Sequence, residues 1–487
     1  MKILYIDVDS LRPDHLGCYG YLRNTSPNVD AIAASATRFT NVYASDVPCL
    51  PSRTAMWSGR CGFNTGVVNH GGVAAQPLIE GANRGFRDKF GLTGWIRGLR
   101  EIGFHTATVS SFGERHSAWH WYAGFNEVMN CGKGGQERAD EVASIATEWL
   151  DRNAQREHWF LHVNFWDPHT PYNTPASYGN PFESEPLPPF YTEAMRQRCW
   201  EGYGPHSAQE PHHYDDNENY AARNPRMPRQ IDCTDSMRKW IDGYDTGIRY
   251  FDDHLGQLVE RLQSHGVWDD TAIIITADHG ENLGELNIWG DHQTADQITC
   301  NVPLVVRWPG VTDRAAVDET LHYQFDWAAT MLELLGGEVP LNWDGRSFAP
   351  DFLAQTPSGR DYLVLSQGAW SVQRSVRFDK YLCIWSYHTG FKQVDPIMLF
   401  DLKADPHEEN NLAGSRPQVV SAAAERLADW TNAQIIRSPH NVDPLRTVLL
   451  EGGPYHCRTE LPEYLARLRQ TGRAHHADFL TQQYPGA

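Results

Sequence analysis

Five short apolar runs limit how this 487-residue chain can fold: Ile3–Val8, His105–Ser110, Trp159–Phe165, Ala272–Thr276 and Pro303–Trp308. Each reads as a buried strand, and helical patterns lie between them. The clearest helix begins near a candidate cap at Thr234. Its apolar positions are Met237, Trp240, Ile241, Tyr244, Ile248, Phe251, Leu255, Leu258 and Leu262. Steps of mostly three and four place them on one helical face. Strands alternating with helices predict an α/β architecture with a mostly parallel central sheet between helices. Ligands bind such sheets beyond the carboxyl ends of the strands. The residues just past the runs are therefore the informative ones: Asp9 and Ser10, Arg115 and His116, Asp167 and His169, Asp278 and His279. Four strands are expected to deliver polar groups to one edge.

The length exceeds one ordinary core, so two domains are expected. The α/β region is read as 1–355, with an irregular insertion at 171–233 rich in Pro, His, Tyr and Asn. A smaller α+β subdomain follows over 356–440. Its strands are Tyr362–Leu365, Ser375–Phe378 and Tyr381–Trp385, and its helix is Gln418–Ile436. The tail, 441–487, has no assignment. A formal charge of −19 argues against a nucleic-acid partner, which needs Lys and Arg to neutralise phosphate. An anionic substrate then requires a locally positive pocket. No apolar run is long enough for a membrane span, and Asp7 comes too early for a signal-peptide core. Nine scattered cysteines without a CxxC pair suit a reducing compartment, so a cytoplasmic setting is expected. The oligomeric state is open, a homo-oligomer included.

The most specific signal is Cys49-Leu50-Pro51-Ser52-Arg53, followed by Ser58-Gly59-Arg60. A lone cysteine is usually a small buried apolar residue. Here, however, Pro51 suits a first helical turn, whose free N–H groups and positive end favour an oxyanion. Arg53 adds a cation in the same turn. The segment resembles the signature of the formylglycine-dependent sulfatases, members of the alkaline phosphatase superfamily. That resemblance implies an alkaline-phosphatase-like fold and a maturase partner that oxidises Cys49 to formylglycine. It also implies a nucleophilic aldehyde hydrate: one hydroxyl attacks sulfur, and the other re-forms the carbonyl and expels sulfate.

Further segments are similar to the family. They are Asp9-Ser10-Leu11-Arg12-Pro13-Asp14-His15, Thr25-Ser26-Pro27-Asn28-Val29-Asp30, Asp278-His279-Gly280-Glu281 and Met398-Leu399-Phe400-Asp401-Leu402. Taken singly, each acid reads as a cap or a surface ion pair. Together, the resemblance implies one divalent metal held by Asp9, Asp278, His279 and the modified Cys49, with Ser10 replacing a second acid. Oxygen ligands favour Ca²⁺ or Mg²⁺, Ca²⁺ first, and the histidine leaves Mn²⁺ open. The resemblance makes His169, in Trp166-Asp167-Pro168-His169, the proton donor to the leaving oxygen. It makes His116, in Gly113-Glu114-Arg115-His116, the partner of the hydrate. His162 lies mid-strand and reads as core.

Two lysines that bind sulfate in the family fall on Glu114 and Asp291. Arg115 and His292 are the candidates to replace their charge. Asp291 is read as a hydroxyl acceptor, and His70 as a residue reaching the pocket. His120, His206, His212 and His213 are unplaced and read mostly as solvated. The implied activity is hydrolysis of a small sulfate ester, with no nucleic-acid or membrane partner expected from the charge and the short apolar runs; the substrate is a sulfated carbohydrate or another small organic sulfate. The alternatives are a phosphodiesterase or phosphonate monoester hydrolase of the same superfamily, and a non-catalytic relic.

Overall fold

The computed structural model describes residues 1–84, 87–213, 217–438 and 440–485. Residues 214–216 of the expected insertion and 486–487 of the tail lie outside them. Eight strands form the large sheet in the order Ala316–Tyr323, Thr37–Tyr43, Asn301–Arg307, Thr271–Ala277, Lys2–Val8, Trp159–Phe165, His105–Val109, Glu127–Met129. The Lys2–Val8 strand is central. It runs parallel to both neighbours in level register, with Lys2 opposite Trp159 and Thr271 and Val8 opposite Phe165 and Ala277. Three strands therefore end at one height, and the residues after them emerge side by side. The sheet is mostly parallel, as expected, with Asn301–Arg307 antiparallel to both of its neighbours.

The Thr234–Ser264 helix buries all nine expected apolar positions. The cap itself is Cys233 rather than Thr234, with the Ser236 hydroxyl accepting the Cys233 N–H at 3.0 Å. Two further strands, Thr37–Tyr43 and Ala316–Tyr323, have no continuous apolar run. They lie at the outer part of the sheet, where one face stays partly exposed and alternation replaces the fully buried pattern.

A second sheet runs Ile397–Asp401, Tyr381–His388, Val372–Phe378, Tyr362–Gln367, Asp46–Val47, and the Pro417–Arg437 helix packs on it. The short Asp46–Val47 strand comes from the N-terminal region and pairs parallel with Ser366 and Gln367, so it ties the two sheets together. The 171–233 stretch is not wholly irregular, because it carries helices Glu193–Glu201 and Asn217–Arg223. The tail forms helices Pro444–Leu450, Leu461–Gln470 and Ala474–Gln483. Leu461, Tyr464, Leu468, Ala477 and Leu480 bury against Tyr203, Trp370 and Phe391. Tail, insertion and second sheet thus share one apolar cluster. No helix among the described residues is long and apolar enough to cross a membrane. All nine cysteines are free.

Candidate active site

The chain leaves the second sheet at Val47 and enters the Cys49–Ser58 helix, so the cysteine stands at a helix start. Gly59 closes the helix in the left-handed region, at φ 66°. A side chain there would meet the Trp343 ring at 2.0 Å, so only glycine fits. Cys49 is buried, and its Sγ lies 3.1 Å from His279 Nε2. Burial pushes its thiol pKa up, and the charges of Asp9 and Asp278 add to the rise.

Arg53, one helical turn on, is fully buried. Its Nε donates to Asp7 Oδ2 at 2.7 Å, and its Nη1 donates to Asp9 Oδ2 at 2.9 Å and Asp278 Oδ2 at 2.6 Å. Three buried carboxylates thus surround one guanidinium. Burial works against ionising Asp9, but Arg53 and the imidazoles of His169, His279 and His292 hold it below the usual carboxylate range. Burial pushes Asp278 up; Arg53 opposes this, and the charges of Asp9 and Asp7 reinforce it. Donor atoms of Asp9, Cys49, Asp278 and His279 all lie within 4.8 Å of one another. Two carboxylates, an imidazole and the sulfur of Cys49, with more acids than cations around Arg53, fit a divalent metal.

Ser10 adopts φ 62°, unusual for a residue with a side chain. Its backbone is fixed at both ends: its carbonyl accepts from the Tyr244 hydroxyl at 2.7 Å, and its N–H donates to Asp278 Oδ1 at 3.3 Å. Its hydroxyl donates to Asp9 Oδ1 at 3.1 Å, which keeps it beside the cluster.

The histidines sit above this floor. His279 Nδ1 donates to the Gly280 carbonyl at 2.9 Å, which leaves Nε2 facing Cys49, and burial pushes its pKa down to about 4. His169 Nε2 is 3.9 Å from Asp9 Oδ1, and its Nδ1 is held by the Thr170 carbonyl. The His292 ring centre is 4.0 Å from that of His279 and 5.6 Å from that of His169. His116 follows the short Phe112–Arg115 helix, and its buried Nε2 has no hydrogen-bond partner among the described residues. The His70 ring centre is 5.0 Å from that of His116, and its Nδ1 lies 2.9 Å from His456 Nε2.

The two acids at the family's lysine positions part company. Glu114 is exposed and turned away, accepting from Asn130 Nδ2 at 2.5 Å. Its neighbour Arg115 lies over Trp166 at 5.0 Å, close enough to act on His116 and His169. Asp291 is buried with both oxygens engaged. Oδ1 accepts the His292 N–H at 2.7 Å, while Oδ2 accepts from Gln293 at 3.1 Å and lies 3.0 Å from His206 Nε2. Burial opposes its ionisation, but His206 and His292 hold it well below its ordinary value.

Other positions resolve differently. His162 is a core residue, between Thr108 Oγ1 at 2.8 Å and Asp7 at 3.3 Å. Asp167 turns from the site and accepts the Ala139 N–H at 2.8 Å, at the start of the Ala139–Asn153 helix. The four unplaced histidines pack against the protein rather than standing in solvent. His212 is buried against the Pro228 carbonyl at 2.8 Å, and His120 meets Thr54 Oγ1 at 3.1 Å. His206 and His213 face Trp370 at 5.3 and 5.1 Å.

Sequence reading missed Asp7, His206, Trp370, Lys392 and His456. Asp7 did carry a signal: an acid inside an apolar strand needs a buried partner. The others come from loops and the tail, where no periodicity marks them.

A sheet that sends acids and histidines to one edge, where they meet a cysteine at a helix start, defines a hydrolase centre of the alkaline-phosphatase type. Comparison with known proteins agrees. The Sulfatase family model matches residues 2–337. The model for the N-sulphoglucosamine sulphohydrolase C-terminal region matches 284–432. The chain is 27% identical to the multifunctional alkaline phosphatase superfamily protein PehA of Trinickia caryophylli, over 88% of this chain and 95% of that one. It is 27% identical to a choline-sulfatase of Rhizobium meliloti (strain 1021), over 85% and 82%. The solved structure of BT4656 with its substrate D-glucosamine-2-N,6-O-disulfate superposes with a TM-score of 0.71 at 18% identity, covering 91% of this chain and 99% of that one. The chain belongs to the sulfatase family, within the alkaline phosphatase superfamily, and is a sulfuric ester hydrolase.

Proposed function

We propose that this enzyme hydrolyses the sulfate ester of a sulfated carbohydrate or another small organic sulfate, with formylglycine at position 49 and one divalent metal. The observation that carries the reading is Cys49 at a helix start, with its Sγ 3.1 Å from His279 in a buried cluster of Asp9, Asp278 and Arg53. Asp9, Asp278, His279 and residue 49 would hold the cation, Ca²⁺ first and Mg²⁺ or Mn²⁺ next. When bound, it neutralises sulfate oxygens and makes a nearby hydroxyl more acidic.

The chain's own residues do the rest. Arg53 fixes the two acids against each other. His279 keeps Nε2 toward position 49 because its Nδ1–H is committed to Gly280. The free Nε2 of His116 receives or holds a proton of the hydroxyl at position 49. His169 protonates the leaving oxygen. Arg115 supplies the positive field that the two replaced lysines would give, while His292, whose pKa burial pushes well below its ordinary value, offers a ring nitrogen rather than a charge. Asp291 positions His206 and His292, because its oxygens already hold protein donors. The nine free cysteines support a reducing, cytoplasmic setting as part of this reading.

A second reading, phosphodiester or phosphonate monoester hydrolysis, is favoured by the likeness to a relative described as multifunctional. One experiment separates them. Protein co-expressed with a maturase is analysed by peptide mass, then assayed on 4-nitrophenyl sulfate and bis(4-nitrophenyl) phosphate before and after chelation. The expected result is the aldehyde or its hydrate at position 49, faster sulfate turnover, and loss of activity in Cys49→Ala and after chelation. Full activity with an unmodified thiol, or without metal, overturns the mechanism. Faster diester turnover selects the second reading.

A further inference from the structure

Beyond the nucleophile, one run of contacts leads away from the acid cluster. From Cys49 it passes to His279 at 3.1 Å, and from there to His292 at 4.0 Å between ring centres. Asp291, adjacent in the chain, lies 3.0 Å from His206. The His206 ring is 5.3 Å from Trp370, which stacks on His456 at 4.3 Å. The run ends at Lys392, whose Nζ lies over Trp370 at 5.8 Å. Three separate segments meet here: the insertion gives His206, the second sheet region gives Trp370 and Lys392, and the tail gives His456.

Lys392 is the anomaly. It is 3% exposed, and its Nζ has no hydrogen-bond partner among the described residues. A buried ammonium without a partner is costly. Its surroundings are nevertheless shaped around it. Gly390, at φ 65°, packs against the Trp370 carbonyl, which a Cβ would meet at 1.9 Å, and that Cβ would also sit 2.9 Å from Nζ. Gly204 leaves room for the stem, since a Cβ there would sit 3.3 Å from Lys392 Cγ. The neighbouring Cys457 is no counter-ion: its Sγ donates to the Trp370 carbonyl at 3.3 Å, and burial pushes its pKa up to about 11. His206 Nδ1 is also buried without a hydrogen-bond partner among the described residues. A cation and a ring nitrogen are therefore left unsatisfied at the end of this run farthest from Cys49.

We propose that Lys392, flanked by His206 and Trp370, is an anion-accepting subsite at the leaving-group end of the pocket, and that the favoured substrate is a sulfate ester whose alcohol carries a second anionic group, a carboxylate or a second sulfate. This rests on the sulfate-ester reading above and adds the substrate class. The anion completes the shell of Lys392, so binding energy is gained where the free protein leaves a charge unpaired.

The test compares three aryl sulfates: 3-sulfooxybenzoate, its methyl ester, and benzene-1,3-disulfate. In the wild-type enzyme, kcat/KM for the anionic compounds should exceed that for the ester by about ten- to a hundredfold, the range of one charge-assisted hydrogen bond. In Lys392→Met the ratio should fall to near one, mainly through KM, and Lys392→Gln should behave alike. Melting temperatures establish that both variants are folded. Preference for the benzoate alone, for the disulfate alone, or for both identifies the anion as carboxylate, sulfate or either. A wild-type ratio near one, or an unchanged ratio in the variants, overturns the subsite. Calorimetric binding of 3-hydroxybenzoate against its methyl ester reads the same preference without turnover. Selective product binding without hydrolysis of any sulfate would fault the hydrolase reading and leave the subsite standing.

Discussion

The two ends of the run of contacts from Cys49 to Lys392 bury charge in opposite ways. At the nucleophile end, Asp7, Asp9 and Asp278 converge on Arg53, and every contact is a short ion pair of 2.6–2.9 Å. At the far end, imidazoles flank Asp291, and Lys392 Nζ has no hydrogen-bond partner among the described residues. The first end has too many anions for its cation, which suits a metal. The second has a cation without its anion, which suits a charged substrate. The difference teaches where each charge is meant to be completed: by an ion that stays, or by a ligand that comes and goes.

The sharpest way to break this comparison is to remove the cation from each end in turn. Arg53→Met leaves three buried carboxylates facing one another. Breaking a buried pair in this way costs on the order of 3–5 kcal/mol. The variant should melt well below the wild type and lose turnover. Lys392→Met removes a charge that has no hydrogen-bond partner among the described residues, so its melting temperature should stay level or rise. Calorimetry on the two variants checks this. If both lose equal stability, Lys392 has a structural counter-ion and the contrast fails.

The next effect lies between the ends. His169 lies 3.9 Å from Asp9 on one side and 5.6 Å from the His292 ring on the other, and in the proposed mechanism it protonates the leaving oxygen. A sugar alkoxide leaves poorly and needs its proton, whereas a nitrophenolate does not. His169→Ala should therefore slow alkyl or sugar sulfates by about 10²–10⁴-fold and nitrophenyl sulfate far less. Paired kcat measurements on the two ester types decide it. Equal losses would make His169 a binding residue of the metal end.

The same contrast explains what could be read from the chain. The nucleophile end was legible because sheet strands deliver it. Once Ile3–Val8 and Ala272–Thr276 read as parallel strands, Asp9 and Asp278 had to arrive at one edge, and Cys49-Leu50-Pro51-Ser52-Arg53 marked a helix start. Asp7 escaped notice because period and burial explain its strand without it. The far end was not legible. Lys392, Trp370 and His456 are hundreds of residues from Cys49 in sequence, and their meeting depends on how the tail helices pack against Tyr203 and Phe391. Tertiary packing fixes such contacts and leaves no local pattern. The histidines of the insertion looked like solvated loop residues for the same reason. Burial against Trp370 and Trp240 became visible only in three dimensions.

The smallest expected effect concerns Asp291, which stands where the two ends join. Asp291→Asn keeps the shape and still offers an oxygen to the His292 N–H, but it presents an amide to His206, where the carboxylate lay 3.0 Å away. The metal end loses nothing by this change. The far end loses the group that orients His206. Turnover of an ester with a large or charged alcohol should therefore fall by roughly tenfold, the worth of one hydrogen bond to a charged group, while phenyl sulfate, which carries no second polar group, should fall much less. The ratio of the two kcat/KM values is the measurement. If both collapse together, Asp291 belongs with Asp9 and Asp278, and the pocket has one charged centre rather than two. If only the larger substrate suffers, the boundary between the two ends lies at Asp291, with His292 on the catalytic side and His206 on the substrate side.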